Sequence, residues 1–339
     1  MSVIVIFSGG CGRLLAKDAS DHIFTMGTVF EVRAIGRKAE ASIREAESAL
    51  YTCESDISWR KEGSVPALFN EDGRADASRI SGLMEMTLQV SRDSNGALDP
   101  TVLPLSKLWQ FDSFGEADFD PDQVVVPEAE AISNALESVD WERLVYDPES
   151  HLLTCEDPSV TMELGAVGKG YAIDCALASM KSQGLVGGMI NAGSSIAVFG
   201  SKQDGNAFNV ALRDPRGSLE DYIGVLHVSD LCISTSGDYE RYFIRDGVRY
   251  HHILDPRTGR PADSGLMQVT ILSEDCALGD ALSTACFVLG LDEGMALARQ
   301  YGVSAIFVDT ERRVWLSDPS VSELLDFSGE DKGYIIMGL

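Results

Sequence analysis

Apolar residues recur at helical spacing over residues 38–56 and again over 77–94, the second run closing at Asn95-Gly96. Pro127 opens a shorter helix predicted over 128–139. A fourth is predicted over 167–182 and ended by Gly184, and a fifth over 276–289, closed by Gly290; Asp292 then caps a sixth that stops at Gly302. Short β-favouring runs predict strands at 186–191, 195–199, 208–212 and 267–272. Asp246-Gly247 supplies the positive φ angles of a two-residue turn, so 239–245 and 248–254 read as a hairpin. A second hairpin is expected from 304–309 and 313–316. A small meander is expected over 142–163, where Asp147-Pro148 and Asp157-Pro158 punctuate the run. Residues 112–126 are acidic and turn-rich, the expected surface excursion.

Helices and strands mix without regular βαβ alternation, which points to an α+β fold rather than a doubly wound sheet. No internal repeat or long linker divides the 339 residues. Composition adds one constraint. With 53 acidic and 27 basic residues the net charge is −26, which disfavours nucleic acid or an anionic membrane as the main partner. A phosphate-bearing ligand would need a local positive source: a metal ion, a helix N-terminus, or a few placed Lys and Arg.

Seven cysteines (11, 53, 155, 175, 232, 276 and 286) are scattered without a CxxC pair, a poor framework for disulfides or zinc, and most read as small buried hydrophobes. The apolar run at 3–7 is too short for a membrane span. It ends in Ser8-Gly9-Gly10-Cys11, which reads either as the tail of a bacterial lipoprotein signal with Cys11 lipidated or as a frayed, β-like terminus.

Three stretches carry chemistry. In Gly279-Asp280-Ala281-Leu282-Ser283-Thr284, Asp280 and Thr284 share one face of an apolar helix, a carboxylate and a hydroxyl that suit a hard cation such as Mg²⁺. A solvent-facing Asp and a Thr bonded to its own helix would look the same. Between Glu163 and Asp174 a strand is expected to run through glycines into a helix with Lys169 in its first turn, where free N–H groups and a cation favour an anion. A plain turn with an exposed Lys fits equally. Last, Tyr250-His251-His252-Ile253-Leu254-Asp255-Pro256-Arg257 places two of the five histidines side by side at a hairpin exit. Either could be a general base, but neighbouring strand residues face opposite ways, so at most one enters a site. The loop at Ala97-Leu98-Asp99-Pro100 and the turn at Asn191-Ala192-Gly193 would let backbone approach a ligand closely.

Taken in order, Met26-Gly27-Thr28, ALDPTV with the later LW, ELGAVGKGYAID, NAG, STSGDYERYF, HHILDPRTGRP and GDALSTA resemble the ApbE family of FAD:protein FMN transferases across roughly residues 24–310. The resemblance implies an ApbE-like, T-fold-like arrangement of mixed sheets flanked by helices, with the flavin site in a cleft between sheets or subdomains. It assigns 21–339 to one FAD-binding transferase domain and leaves 1–20 as a tail or signal remnant. It implies that Asp280, Thr284 and the Ala166 carbonyl hold Mg²⁺, that Met26, Trp59, Ala97, Leu98, Asp99, Lys169 and Leu254 contact FAD, and that His252 is the general base. The implied reaction cleaves FAD, releases AMP and attaches FMN by a phosphoester to a Thr or Ser of an acceptor, such as a subunit of a membrane electron-transport complex or an FMN-binding reductase domain. The implied place is the bacterial cell envelope, with a membrane lipid anchor if a signal precedes the chain, and otherwise the cytoplasm. Two alternatives keep the same residues: a Mg²⁺-dependent FAD pyrophosphatase, and a non-catalytic FAD-binding lipoprotein. Glu163, Ser195, Leu103 and Trp59 stand where the family more often has Asp, Asp, Gly and Tyr.

Overall fold

A nine-stranded sheet forms the spine of the computed structural model, which describes residues 18–114 and 119–337. Its order is Asp18–Thr25, Thr28–Ile35, Gly187–Asn191, Ser195–Gly200, Leu231–Gly237, Leu266–Ser273, Ser304–Asp309, Arg313–Leu316 and Ile335–Ile336. Neighbours are antiparallel except the last pair, which is parallel. The fold is α+β, with mixed sheets and flanking helices, as expected.

The sheet is covered on both faces, and residue alternation decides what goes where. Val269, Ile271 and Phe307 pack toward helices, while Met267, Leu272, Ile306 and Val308 pack toward the opposite layer. That layer is a three-stranded sheet of Phe208–Arg213, Tyr222–Val228 and Leu325–Phe327. Burial on both sides explains why Leu266–Ser273 is buried at every position, its polar Gln268, Thr270 and Ser273 included.

The helical layer holds Ala39–Ile57, Gly165–Lys181 and Cys276–Leu289. Glycines let these helices close on one another. A Cβ at Gly170 would lie 2.1 Å from the Cys276 carbonyl oxygen, and one at Gly168 would lie 2.9 Å from Ile57 Cδ1 and 3.3 Å from Met26 Cε. A separate cluster (Leu105, Trp109, Phe111, Phe243 and Leu254) fastens the 103–139 excursion to the Tyr242–Arg245/Val248–His251 hairpin.

Several expectations shift. The helix carrying Lys169 opens at Gly165, so Lys169 sits in its second turn; the Val167 N–H already reaches the Leu164 carbonyl at 3.2 Å. No strand precedes it, because Glu163 N–H is tied to the Pro100 carbonyl alone rather than to a ladder. The 77–94 run divides into a 3-10 turn at Ser78–Ile80 and a helix at Ser81–Asp93. The helix after Gly290 starts at Leu291, with Asp292 inside its first turn rather than capping it. The hairpin strand breaks after His251, and Leu254–Asp255 pairs instead with Arg260–Pro261. The meander keeps two strands and gains Arg74–Asp76 as its third.

Cysteine usage is also corrected. Cys232 and Cys276 form a disulfide, their Cα atoms 5.3 Å apart across 44 residues of sequence. Sequence spacing could not reveal it, because the sheet and the start of a helix bring them together. Cys53 and Cys286 are buried free thiols, as expected, and Cys11 lies outside the described residues.

Candidate active site

Asp280 is the best-anchored polar residue of the helical layer. Its Oδ2 accepts the Gly170 N–H at 2.7 Å and its Oδ1 accepts the Ser195 hydroxyl at 2.6 Å. A regular helix would point the Gly170 N–H at the Ala166 carbonyl, so Ala166 and Asp280 converge on one donor. Each carboxylate oxygen still has a lone pair to give. One turn along, Thr284 Oγ1 lies 3.3 Å from Ser236 Oγ. Asp280 thus lies against the Lys169 helix and Thr284 follows it by one turn, oxygen donors of the kind that suit a hard cation. Among the described residues the one His/Cys/Asp/Glu cluster with metal-ligand spacing is Asp174, Cys232 and Cys276, whose two sulfurs are bonded to each other.

The two histidines separate in role. His251 is buried, its Nε2 is 3.1 Å from the Ala262 carbonyl, and its ring meets Phe287 edge-on. It is a core residue. His252, like His251, has a buried Nδ1 without a hydrogen-bond partner. Burial, reinforced by the positive charges of Arg241, His251 and Lys169, pushes its pKa down to about 3, so the imidazole is neutral at physiological pH.

Charged groups surround His252. Glu163 is bonded to Ser106 Oγ at 2.7 Å, and burial raises its pKa while Ser106, Arg241 and Arg60 lower it. Arg241 is open to solvent, yet protein surrounds it closely enough for burial to lower its pKa, a combination that marks the wall of a cleft. Arg60 continues the wall to Trp59: its guanidinium lies 4.6 Å from the indole centre, the Lys107 ammonium lies 4.5 Å from it, and Arg60 also bonds Asp112.

A pocket of about 260 Å³ adjoins Glu163 and gathers Leu98, Asp99, Pro100, Ala166 and Val167. Asp99 holds this loop rather than reaching outward. Its Oδ1 accepts from the Thr101 N–H and hydroxyl at 2.7 and 2.6 Å, and its Oδ2 accepts from the Trp141 N–H. Ala97 is buried beside Leu98. Met26, in the left-handed region at φ 53°, turns between the first two strands and lies against Gly168, next to Lys169. Leu254 is buried among the aromatic residues under the hairpin, the most distant in character of the predicted contacts. A larger pocket of about 440 Å³, between the main sheet and the three-stranded sheet, contains none of the predicted residues.

Arg241 was not foreseen, though the signal was present. The two-residue turn fixes the register Arg245↔Val248 to Tyr242↔His251, and just past the end of that ladder the His252 N–H donates to the Arg241 carbonyl at 3.0 Å. Ser195 was noticed as a substitution, not as the partner of Asp280.

Cations near a neutral imidazole, and oxygen donors against the Lys169 helix, on an α+β scaffold suit a protein that handles a phosphate-bearing ligand. Comparison with known proteins makes that specific. The ApbE family profile matches residues 26–307, and the chain belongs to this family. An FAD:protein FMN transferase of Treponema pallidum (strain Nichols) is 31% identical over 329 residues, covering 90% of this chain and 89% of the relative. One from Klebsiella pneumoniae (strain 342) is 32% identical, covering 82% and 84%. Among solved structures, the ApbE protein of Thermotoga maritima superposes with a TM-score of 0.77 at 28% identity, covering 93% of this chain and 98% of that one. The flavin transferase ApbE of Vibrio cholerae gives 0.79 at 26% identity, covering 91% and 99%.

Proposed function

We propose that the protein is a Mg²⁺-dependent FAD:protein FMN transferase. The observation that supports the mechanism is His252, neutral and set near the positive charges of Arg241 and Lys169, with Asp280 tied to the backbone of the Lys169 helix at Gly170. A Thr or Ser hydroxyl of the acceptor attacks the phosphorus on the FMN side of the pyrophosphate. The bond from that phosphorus to the AMP oxygen breaks, AMP departs, and His252 takes the hydroxyl proton. Lys169 faces the negative charge that gathers on the moving phosphoryl and the leaving group. Asp280, Thr284 and the Ala166 carbonyl would hold Mg²⁺, which supplies further charge stabilisation when bound. Leu98, the Asp99 loop and Met26 border the dinucleotide, and the Trp59 ring offers a face for stacking.

The Cys232–Cys276 disulfide supports a cell-envelope location, because such bonds persist in oxidising compartments. No described helix is long and apolar enough to cross a membrane.

The test is to incubate the protein with FAD, Mg²⁺ and a flavin-carrying acceptor domain, and follow acceptor mass and free AMP. Acceptor gaining one FMN less water, with AMP released in step, is the expected result. AMP and FMN released without an acceptor would make the protein a pyrophosphatase. FAD bound and left intact would make it a carrier.

A further inference from the structure

We propose that Arg241 is a second catalytic cation, its guanidinium held opposite the His252 imidazole to grip the phosphoryl group as it moves; this deepens the transferase reading and rests on it. The geometry comes from the hairpin. The pair Tyr242↔His251 is followed by Arg241 and His252, and the His252 N–H donates to the Arg241 carbonyl at 3.0 Å. Residues directly opposite on antiparallel strands project from the same face, with Cβ atoms about 5 Å apart. Arg241 and His252 therefore lean into the cleft together. Tyr242 turns to the other face, where Arg249 lies 3.7 Å from its ring centre.

The state of the guanidinium is the second observation. In so acidic a chain arginines find carboxylates: Arg33 with Asp18, Arg79 with Asp56, Arg216 with Asp238, Arg257 with Asp255 and Arg313 with Asp309. Arg241 makes no hydrogen bond or ion pair from its guanidinium to any described residue. The carboxylates that attract it from further off are already engaged, Glu163 by Ser106 and Glu240 by Arg213 at 3.1 Å. Arginines without a partner on the outer surface are hydrated by bulk water. Arg241 is open to solvent on one side while protein on the other lowers its pKa, so its donors are accessible to an anionic ligand beside His252. A planar guanidinium matches two phosphoryl oxygens at once, which a lysine cannot do. Lys169 then serves the leaving side and Arg241 the moving group, on either flank of the base.

The position assigns the effect to the reaction more than to binding, because the moving phosphoryl gains interaction with Arg241 as it separates from AMP. Arg241→Gln is expected to lower kcat for FMN transfer about 10²–10³-fold, the scale of losing one preorganised charge donor. Its KM for FAD should change less than about threefold, and Arg241→Lys should recover part of the rate. Removing the positive charge also raises the pKa of His252, so the acid limb of the pH–rate profile should move to higher pH in Arg241→Gln and stay in place in Arg241→Lys. A structural role would not move that limb in one variant only.

Binding of inorganic pyrophosphate, measured by calorimetry on wild type and Arg241→Gln with thermal melts as a folding control, separates the two levels of the argument. If wild type binds pyrophosphate and transfers no FMN, the transferase reading fails; unchanged pyrophosphate affinity in Arg241→Gln would then remove the phosphate role as well. If wild type transfers FMN while Arg241→Gln retains full kcat, or loses FAD affinity alone, the inference about Arg241 is overturned and the transferase reading stands.

Discussion

The Gly170 N–H donates to Asp280 Oδ2 at 2.7 Å, joining the Lys169 helix to the helix of the proposed metal ligands. The contact exists only because residue 170 has no side chain. A Cβ there would meet the Cys276 carbonyl carbon and oxygen at 2.4 and 2.1 Å, both backbone atoms that cannot swing aside.

Gly170→Ala should therefore force the two helices apart, at about 1–3 kcal/mol or more, the usual range for overpacking a core. Gly82→Ala is the control. Gly82 lies in the Ser81–Asp93 helix with nothing within 4 Å of an added Cβ, so the change should be neutral to stabilising by up to about 1 kcal/mol. Thermal or urea unfolding of the two variants checks this, and equal midpoints would contradict the close-approach account.

Asp280→Ala removes an acceptor from two donors, leaving the buried Ser195 hydroxyl unpaired and the Gly170 N–H with its own helix alone, at a cost of about 1–3 kcal/mol. If Asp280 also ligates Mg²⁺, a second effect follows. Mg²⁺ should raise the melting temperature of wild type and leave that of Asp280→Ala unchanged, because a ligand stabilises only the state that binds it. Ser195→Ala, which keeps the carboxylate, should retain the Mg²⁺-induced rise. A normal rise in Asp280→Ala would remove it from the metal site.

How much of this was legible beforehand follows element by element. The long helices announce themselves because each buries one repeating set of positions; in the main sheet Gly187–Asn191, Ser195–Gly200 and Leu266–Ser273 are legible as β-favouring runs, whereas Thr28–Ile35 and the central Leu231–Gly237 are not. Gly165–Lys181 was displaced at its start, since glycines there signal a turn and a close helix contact equally well. The strands Asp18–Thr25 and Tyr222–Val228 were missed: their burial alternates with exposed polar residues such as Asp21 and His227. Asp280 and Thr284 were readable from helical spacing. Their partners were not, because Gly170 and Ser195 lie 110 and 85 residues away in sequence.

Cutting the Cys232–Cys276 disulfide releases a 44-residue loop in the unfolded chain. Chain-entropy reasoning places the loss at about 4 kcal/mol. The double variant Cys232→Ser, Cys276→Ser should melt well below wild type, and added reductant should lower the wild-type midpoint while leaving the variant's unchanged. A reductant effect of equal size in both would assign the change to other thiols, such as Cys53 and Cys175.

His252 links the chemistry to pH, and the sign can be worked through. The folded protein keeps the imidazole neutral down to about pH 3, whereas an unfolded chain protonates it near its ordinary value of 6.5. Between those values the unfolded state holds a proton that the folded state refuses, so stability falls as pH drops through 6.5 toward 3 and the contribution is flat above 6.5. His252→Gln cannot take up that proton. Its unfolding free energy should therefore decline less than that of wild type between pH 7 and pH 4, with His251 adding the same slope to both. In transfer assays at neutral pH the same variant should lose about 10²–10⁴-fold in turnover, the contribution of a positioned base, with FAD affinity little changed. A parallel pH dependence of stability in the two proteins would mean that His252 titrates alike in the folded and unfolded states, so that burial does not hold its pKa down. The base would then be tuned near neutrality, and its acid limb in the transfer assay would fall near pH 6.5 rather than well below it.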